Sequence, residues 1–209
     1  MKPTQLWLLA VVVSIPLAAI ATEKCSVSCA ISGLAAKNHR TLAAHKTSTA
    51  GSCKIGTKNG FPMPDPSCTP GAYNPTVTVA VLSNANFRTC CVRDKVESEE
   101  AKKVAYSWYG LQDPANNTGS TQTCELDHLV PLEMGGADSM DNIWPQCGPG
   151  NAVLKNRYFK QKDQVEMYLA EQVKSGAMDQ STAQHAIARD YTQFLDAAKT
   201  YCASHSCSE

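Results

Sequence analysis

Apolar positions along this chain fall into one long run followed by several periodic ones. The run covers residues 6–20, follows Lys2 and ends at Ala19-Ile20-Ala21, a small-x-small cleavage pattern. At about 15 residues, broken by Ser14 and Pro16, it is shorter than the roughly 20 needed to span a bilayer. It therefore reads as a secretory signal peptide over 1–21 and not as an anchor. Further on, Val77, Val79 and Val81 alternate, which predicts a short strand over 76–82. Helical spacing begins at 97 and runs to 111: Ser98 suits a cap, Glu99 and Glu100 suit the positive end of the helix dipole, and Val104 and Trp108 share a face. A second helix is predicted over 151–175, with Val165, Tyr168, Leu169 and Val173 on one stripe and Gly176 as its stop. A third, over 179–201, places Ala183, Ile187, Tyr191, Leu195 and Ala198 at helical spacing, with Ser181 and Gln184 as a capping pair. These stripes are read as core-facing.

Residues 22–75 lack such order. They are rich in Ser, Thr, Gly, Pro and Cys, and their only periodic stretch is 31–44. Pro62, Pro64, Pro66 and Pro70 keep 61–71 extended, because each proline disfavours helix at the residue before it. The division expected is a leader (1–21), an irregular Cys/Pro-rich arm (22–75) and a domain over 76–209.

All ten cysteines lie beyond the leader, and an even count in an exported chain reads as a disulfide framework of up to five bridges. The rival is a zinc site from Cys124, His128 and Cys147, which lacks the usual paired CxxC spacing. The adjacent Cys90 and Cys91 are expected to staple two different segments. Asn116-Asn117-Thr118 is a glycosylation sequon in a polar loop. With 43% hydrophobic and 18% charged residues the chain has the apolar content of a folded domain, and 19 basic against 19 acidic side chains exclude a globally basic nucleic-acid binder. A local patch survives that exclusion: Lys155, Arg157, Lys160 and Lys162, less Asp163, carry about +3. It would hold phosphates without reading sequence, or serve only as a solvated helix face. Trp108 and Trp144 are assigned to the core.

The chemistry concentrates between Cys124 and Glu166. Residues 124–132 read as a strand with an acid–histidine pair in its middle, Gly135-Gly136 permits a tight reversal, and 141–146 forms a second strand closed by Pro145 and a Gly148-Pro149-Gly150 turn. Asn151 would then cap the helix. This order can gather Asp127, His128, Asn142 and Asn151 around one cleft. Neighbours on a regular strand face opposite ways, so Asp127 and His128 converge only if the strand bends or ends there. Asp127 is a hard oxygen ligand suited to a divalent ion, and His128, with an ordinary pKa of about 6.5, can take a proton from water. A carboxylate-held metal beside a histidine base suits phosphodiester hydrolysis.

The ordered stretch Asp127-His128-Leu129-Val130-Pro131-Leu132-Glu133-Met134-Gly135-Gly136, then Asp141-Asn142-Ile143-Trp144-Pro145-Gln146, resembles the HNH, or ββα-metal, nuclease superfamily. Within it, the similarity is to a branch of secreted or exported HNH-like proteins whose core reads DHLIPLELGG…NLWPQ. Pro64-Asp65-Pro66-Ser67-Cys68-Thr69-Pro70-Gly71-Ala72 and Lys162-Asp163-Gln164-Val165-Glu166 extend the match to about residues 61–176. The resemblance implies an α+β fold, with a ββα-metal core, flanking helices and a disulfide-stapled irregular N-terminal arm. It implies His128 as general base, Asp127 as ligand to one divalent ion (Mg²⁺ or Mn²⁺), and Asn142 as the middle residue that holds the loop or orients His128. The third signature position falls on Asn151, with Asp163 as rival metal ligand, and Lys155, Arg157 and Lys162 would bind the substrate backbone. The activity implied is that of a secreted, extracellular, largely sequence-non-specific endonuclease acting on DNA or RNA, with no membrane contact after leader cleavage. One departure stands out: no histidine follows His128 until His185. It favours the alternative of an HNH-fold secreted effector or binding module that has lost catalysis. A cysteine-rich inhibitor would fit the arm but leaves 127–146 unexplained.

Overall fold

The computed structural model describes residues 29–34, 48–93 and 102–207 of the 209. The leader, much of the arm, and Ser98, Glu99 and Glu100 of the predicted first helix lie outside the described residues. What is described is a mixed fold of two small antiparallel sheets and several helices.

The described part of the arm is less irregular than its composition predicts. Strands β1 (Gly56–Lys58) and β2 (Phe61–Met63) pair antiparallel, Gly56 opposite Met63 and Lys58 opposite Phe61. Asn59 (φ 50°) and Gly60 (φ 81°) both occupy the left-handed region, the geometry of a two-residue hairpin turn that Asn-Gly favours. The dipeptide was legible as a turn signal. The described end of the arm packs on the main core: Met63 is buried in it, and Phe61 meets the Tyr158 and Tyr191 rings edge-on at 5.1 and 6.3 Å.

The predicted strand over 76–82 is instead a single helical turn, α1 (Val79–Leu82). The Thr78 hydroxyl caps it by accepting from Val81 N, so a local cap overrides the weak alternation of valines. Of the predicted helix over 97–111, the described part is α2 (Val104–Trp108). Its inward residues are Ala105, Tyr106 and Trp108, while Val104 is exposed, so Val104 and Trp108 do not share the core face as expected.

Strands β3 (Cys124–His128) and β4 (Ile143–Cys147) form the second hairpin, with Cys124 opposite Cys147 and His128 opposite Ile143. Pro145 stands within β4, where a two-stranded sheet leaves an open edge that needs no N–H from it. The helix expected from 151 starts seven residues later, as α3 (Tyr158–Lys174). A turn and a short 3-10 segment (Leu154–Asn156) occupy the interval, and Asn151 caps nothing. The stripe Val165, Leu169 and Val173 is buried as expected, with Tyr168 half-buried, and Gly176 (φ 76°) follows the helix end. The helix predicted over 179–201 is broken. Asp179, not Ser181, caps α4 (Gln180–Asp190) by accepting from Thr182 N, a 3-10 turn spans Tyr191–Phe194, and α5 (Leu195–Cys202) follows. Asp190 causes the break by accepting from Thr192 N with its side chain.

α3 is the spine: it packs on α5, on α4 and on both strands of the β3–β4 hairpin. The main core joins Val77, Val81, Val130, Met134, Ile187 and Tyr191 to the α3 stripe, and a second cluster holds Trp108, Leu129, Met140 and Trp144. Both tryptophans are core residues, as assigned. Four disulfides join described residues: Cys29–Cys91, Cys53–Cys68, Cys124–Cys147 and Cys202–Cys207. Cys124 and Cys147 thus form a bridge across the mouth of the hairpin and not a zinc site. No helix of the described residues is long and apolar enough to cross a membrane.

Candidate functional site

The loop between β3 and β4 is held by one side chain. Asn142 is fully buried. Its carboxamide oxygen accepts from Val130 N (2.8 Å), while its nitrogen donates to Val130 O (2.8 Å) and Ala137 O (2.8 Å). Gly135 (φ 86°) and Gly136 make the reversal between them possible. A Cβ on Gly136 would stand 1.8 Å from Val130 O, a distance no side chain tolerates, so glycine is required there by the close approach of the backbone. Of the two roles expected of Asn142, holding the loop is the one its contacts perform.

Asp127 and His128 do not share a cleft. β3 stays regular through both, and they diverge to opposite faces. On one face, α3 delivers Lys162, fully buried, to the Asp127 carboxylate. The Lys162 ammonium stands 2.9 Å from Asp127 Oδ2 and 3.1 Å from Oδ1, and donates to His128 O at 2.7 Å and to Glu166 Oε1. Three acceptor groups match the three N–H bonds of an ammonium. Burial by itself would lower the Lys162 pKa, but Asp127 and then Glu166 outweigh it and hold the group well above its ordinary value, so the ammonium is charged. Burial raises the Glu166 carboxyl well above its usual range, against the pull of Lys162, with Asp127 adding to the rise. One cation between two buried carboxylates is an excess of negative charge, which proton retention on Glu166 relieves.

On the other face His128 meets the loop. Its Nε2 lies 2.8 Å from Asp138 Oδ1, and Asp138 is in turn 3.1 Å from the buried Lys102 ammonium. Burial lowers the His128 pKa below its ordinary value, opposed by the hydrogen bond and charge of Asp138 and assisted by Arg93 and Lys102. The imidazole is therefore neutral near pH 7, with Nε2–H given to Asp138 and Nδ1 left as the basic nitrogen. Because the unfolded chain protonates its histidines near pH 6.5 and the folded chain resists doing so at His128, stability falls as pH drops below about 6.5, by at most about 1.4 kcal/mol per unit for this group. Urea midpoints between pH 7.5 and 5 check this, and His128→Gln should flatten the slope.

The remaining predicted site residues are dispersed. Asn151 is exposed in the turn before α3. Asp163 accepts from Lys160 at 2.7 Å. Lys155 is exposed. Arg157 is buried, donating from Nε to Ala152 O (3.2 Å) and from Nη1 to Gln122 O, so it ties down a turn and is not offered to a phosphate. Lys162 is likewise withdrawn. With Lys160 drawn to Asp163 and, at 3.6 Å, to Glu125, the basic face expected on α3 is dismantled: Lys155 and Arg157 precede the helix, Arg157 turns to backbone carbonyls, and Lys160 and Lys162 turn to carboxylates. Three contributors went unrecognised: Glu166, Asp138 and Lys102. Glu166 was within reach of sequence as the i, i+4 partner of Lys162. Asp138 was not, because only the folded loop carries it to His128.

The donor set does not fit a divalent ion. Asp127, the carboxylate on which such a site would be built, already satisfies a buried ammonium, and a second cation beside Lys162 would meet its charge at close range. Among the described residues no three His, Cys, Asp or Glu side chains converge on one point. The fold and site define a disulfide-stapled protein of mixed helices and small antiparallel sheets, with a hairpin–helix centre and two buried ion clusters. Comparison with protein-family models, curated proteins and solved structures finds no match for the chain.

Proposed function

We propose that the chain is an HNH-like exported protein in which a lysine ammonium has replaced the divalent ion. On this reading it acts as a disulfide-stapled binding or effector module and does not cut nucleic acid through a bound metal. The observation that carries the proposal is the fully buried Lys162 joined to Asp127, Glu166 and His128 O. Removing that ammonium to admit an ion would strand charges already out of water, at a cost of several kcal/mol. Sequence order supports the HNH-like ancestry: the Asp127–Gln146 motif, the glycine reversal and the asparagine-held loop precede a helix packed on both strands.

A second reading, the secreted endonuclease of DNA or RNA dependent on Mg²⁺ or Mn²⁺, is favoured by His128. A neutral imidazole whose Nε2 is held by a buried carboxylate is prepared to accept a proton at Nδ1 from an attacking water. Incubation of the mature protein with plasmid and with RNA, with Mg²⁺, Mn²⁺ or chelator, separates the two. The expected outcome is no metal-stimulated cutting above that of His128→Ala. Chelator-sensitive cutting that disappears in His128→Ala would establish the nuclease and overturn the lysine-for-metal proposal.

A further inference from the structure

The polar loop before β3 carries two adjacent asparagines with opposite fates. Asn117 is built into the fold: its side-chain oxygen accepts from Thr123 N (2.7 Å) and Cys124 N (3.1 Å), and its nitrogen donates to Cys124 O (2.8 Å). Asn116 is exposed, at a corner of the turn with φ 54°. Its backbone carbonyl is used, accepting from Thr118 N (3.0 Å) and the Thr121 hydroxyl (2.6 Å), so the backbone of the tripeptide is fixed. Asn116, and not Asn117, is the acceptor position of Asn116-Asn117-Thr118, and Thr118 is exposed as well.

We infer that Asn116 is an N-glycosylation site. The modification requires an accessible carboxamide two residues before a hydroxyl residue, with no proline between. Asn74-Pro75-Thr76 has the same outline but carries that forbidden proline, and no other Asn in the sequence precedes Ser or Thr at this spacing. The chain therefore takes one glycan. The donor is a polyprenyl-diphosphate-linked oligosaccharide of the secretory lumen. A bond forms between Asn116 Nδ2 and the anomeric carbon, the bond from that carbon to the diphosphate oxygen breaks, polyprenyl diphosphate leaves, and the amide gives up one proton. Asn116 also stands on the wall of a cavity of about 580 Å³, beside Tyr106, Gln122, Glu125 and Lys160. The first sugar would thus be rooted at the rim of this polar hollow. The inference rests on export of the chain and is independent of whether the protein cuts nucleic acid.

The test expresses the full chain, with its own leader, in a secretory host that glycosylates a control protein. The secreted product is analysed by intact mass and peptide mapping before and after peptide-N-glycosidase. One glycan is expected, its removal leaving aspartate at 116. Asn116→Gln and Thr118→Ala should lack it. Asn117→Gln keeps the sequon while losing the loop contacts, and should keep the glycan. An unmodified Asn116 in the secreted protein, retention of an unmodified chain inside the cell, or a glycan persisting in Asn116→Gln would overturn the inference.

Discussion

Lys162→Met is expected to destabilise the fold by about 3–5 kcal/mol, the cost of leaving buried charge without its partner. The variant keeps the bulk of the side chain but strips Asp127 and Glu166 of their shared cation, and leaves His128 O without the donor it now has at 2.7 Å. For a chain of this length each kcal/mol moves the melting temperature by roughly 2–4 °C, so the drop should be roughly 6–20 °C. Adding Asp127→Leu and Glu166→Met to Lys162→Met should recover much of it, because apolar groups of similar volume replace a buried ion cluster at little net loss. Glu166→Gln alone should be the mildest single change, since burial already favours the protonated form of that carboxyl. Thermal unfolding of the three variants checks the series. Equal melting of Lys162→Met and the parent chain would contradict the buried cluster and remove the basis for a lysine in place of a metal.

Asn142→Ala is expected to cost about 3 kcal/mol or more, at roughly 1–3 kcal/mol for each buried polar group left unsatisfied. Val130 N, Val130 O and Ala137 O all lose their partner at once, and the side chain they surround is fully buried. Asn142→Asp should be no milder near neutral pH, because a carboxylate turns both donated bonds into repulsions. Asn151→Ala, by contrast, should change stability by no more than about 0.5 kcal/mol, as exposed positions generally do. Urea midpoints with unchanged slopes would show the contrast cleanly. Two asparagines given comparable standing by the motif are thus expected to differ severalfold in their effect.

The contrast follows from where each signal originates. An asparagine before a buried strand and a glycine pair at a reversal are local signs, and the fold honours them: the hairpin pairs largely within the stretches the motif placed, although β3 stops at His128, short of the expected limit at Leu132, and the α3 stripe faces the core. Helix limits were less legible. Asn151 looked like a cap, yet the helix waits for Tyr158, and Asp190 divides what the periodicity of 179–201 joined. In both cases a turn or side-chain contact of a few residues outweighed propensity summed over a longer window. The Asn59-Gly60 hairpin was written in the arm but obscured by the prolines that follow it.

By itself the sequence determined the hairpin, the glycine reversal, the apolar face of α3 and the expectation of disulfides, because each depends on period or on backbone freedom within a few residues. Only the tertiary structure decided the chemistry. Asp127 and His128 are adjacent in the chain, but strand alternation sends one to Lys162 and Glu166 and the other to Asp138 and Lys102. Whether a lysine on a helix greets solvent or a buried carboxylate depends on what the helix packs against, and no spacing within the helix itself carries that information.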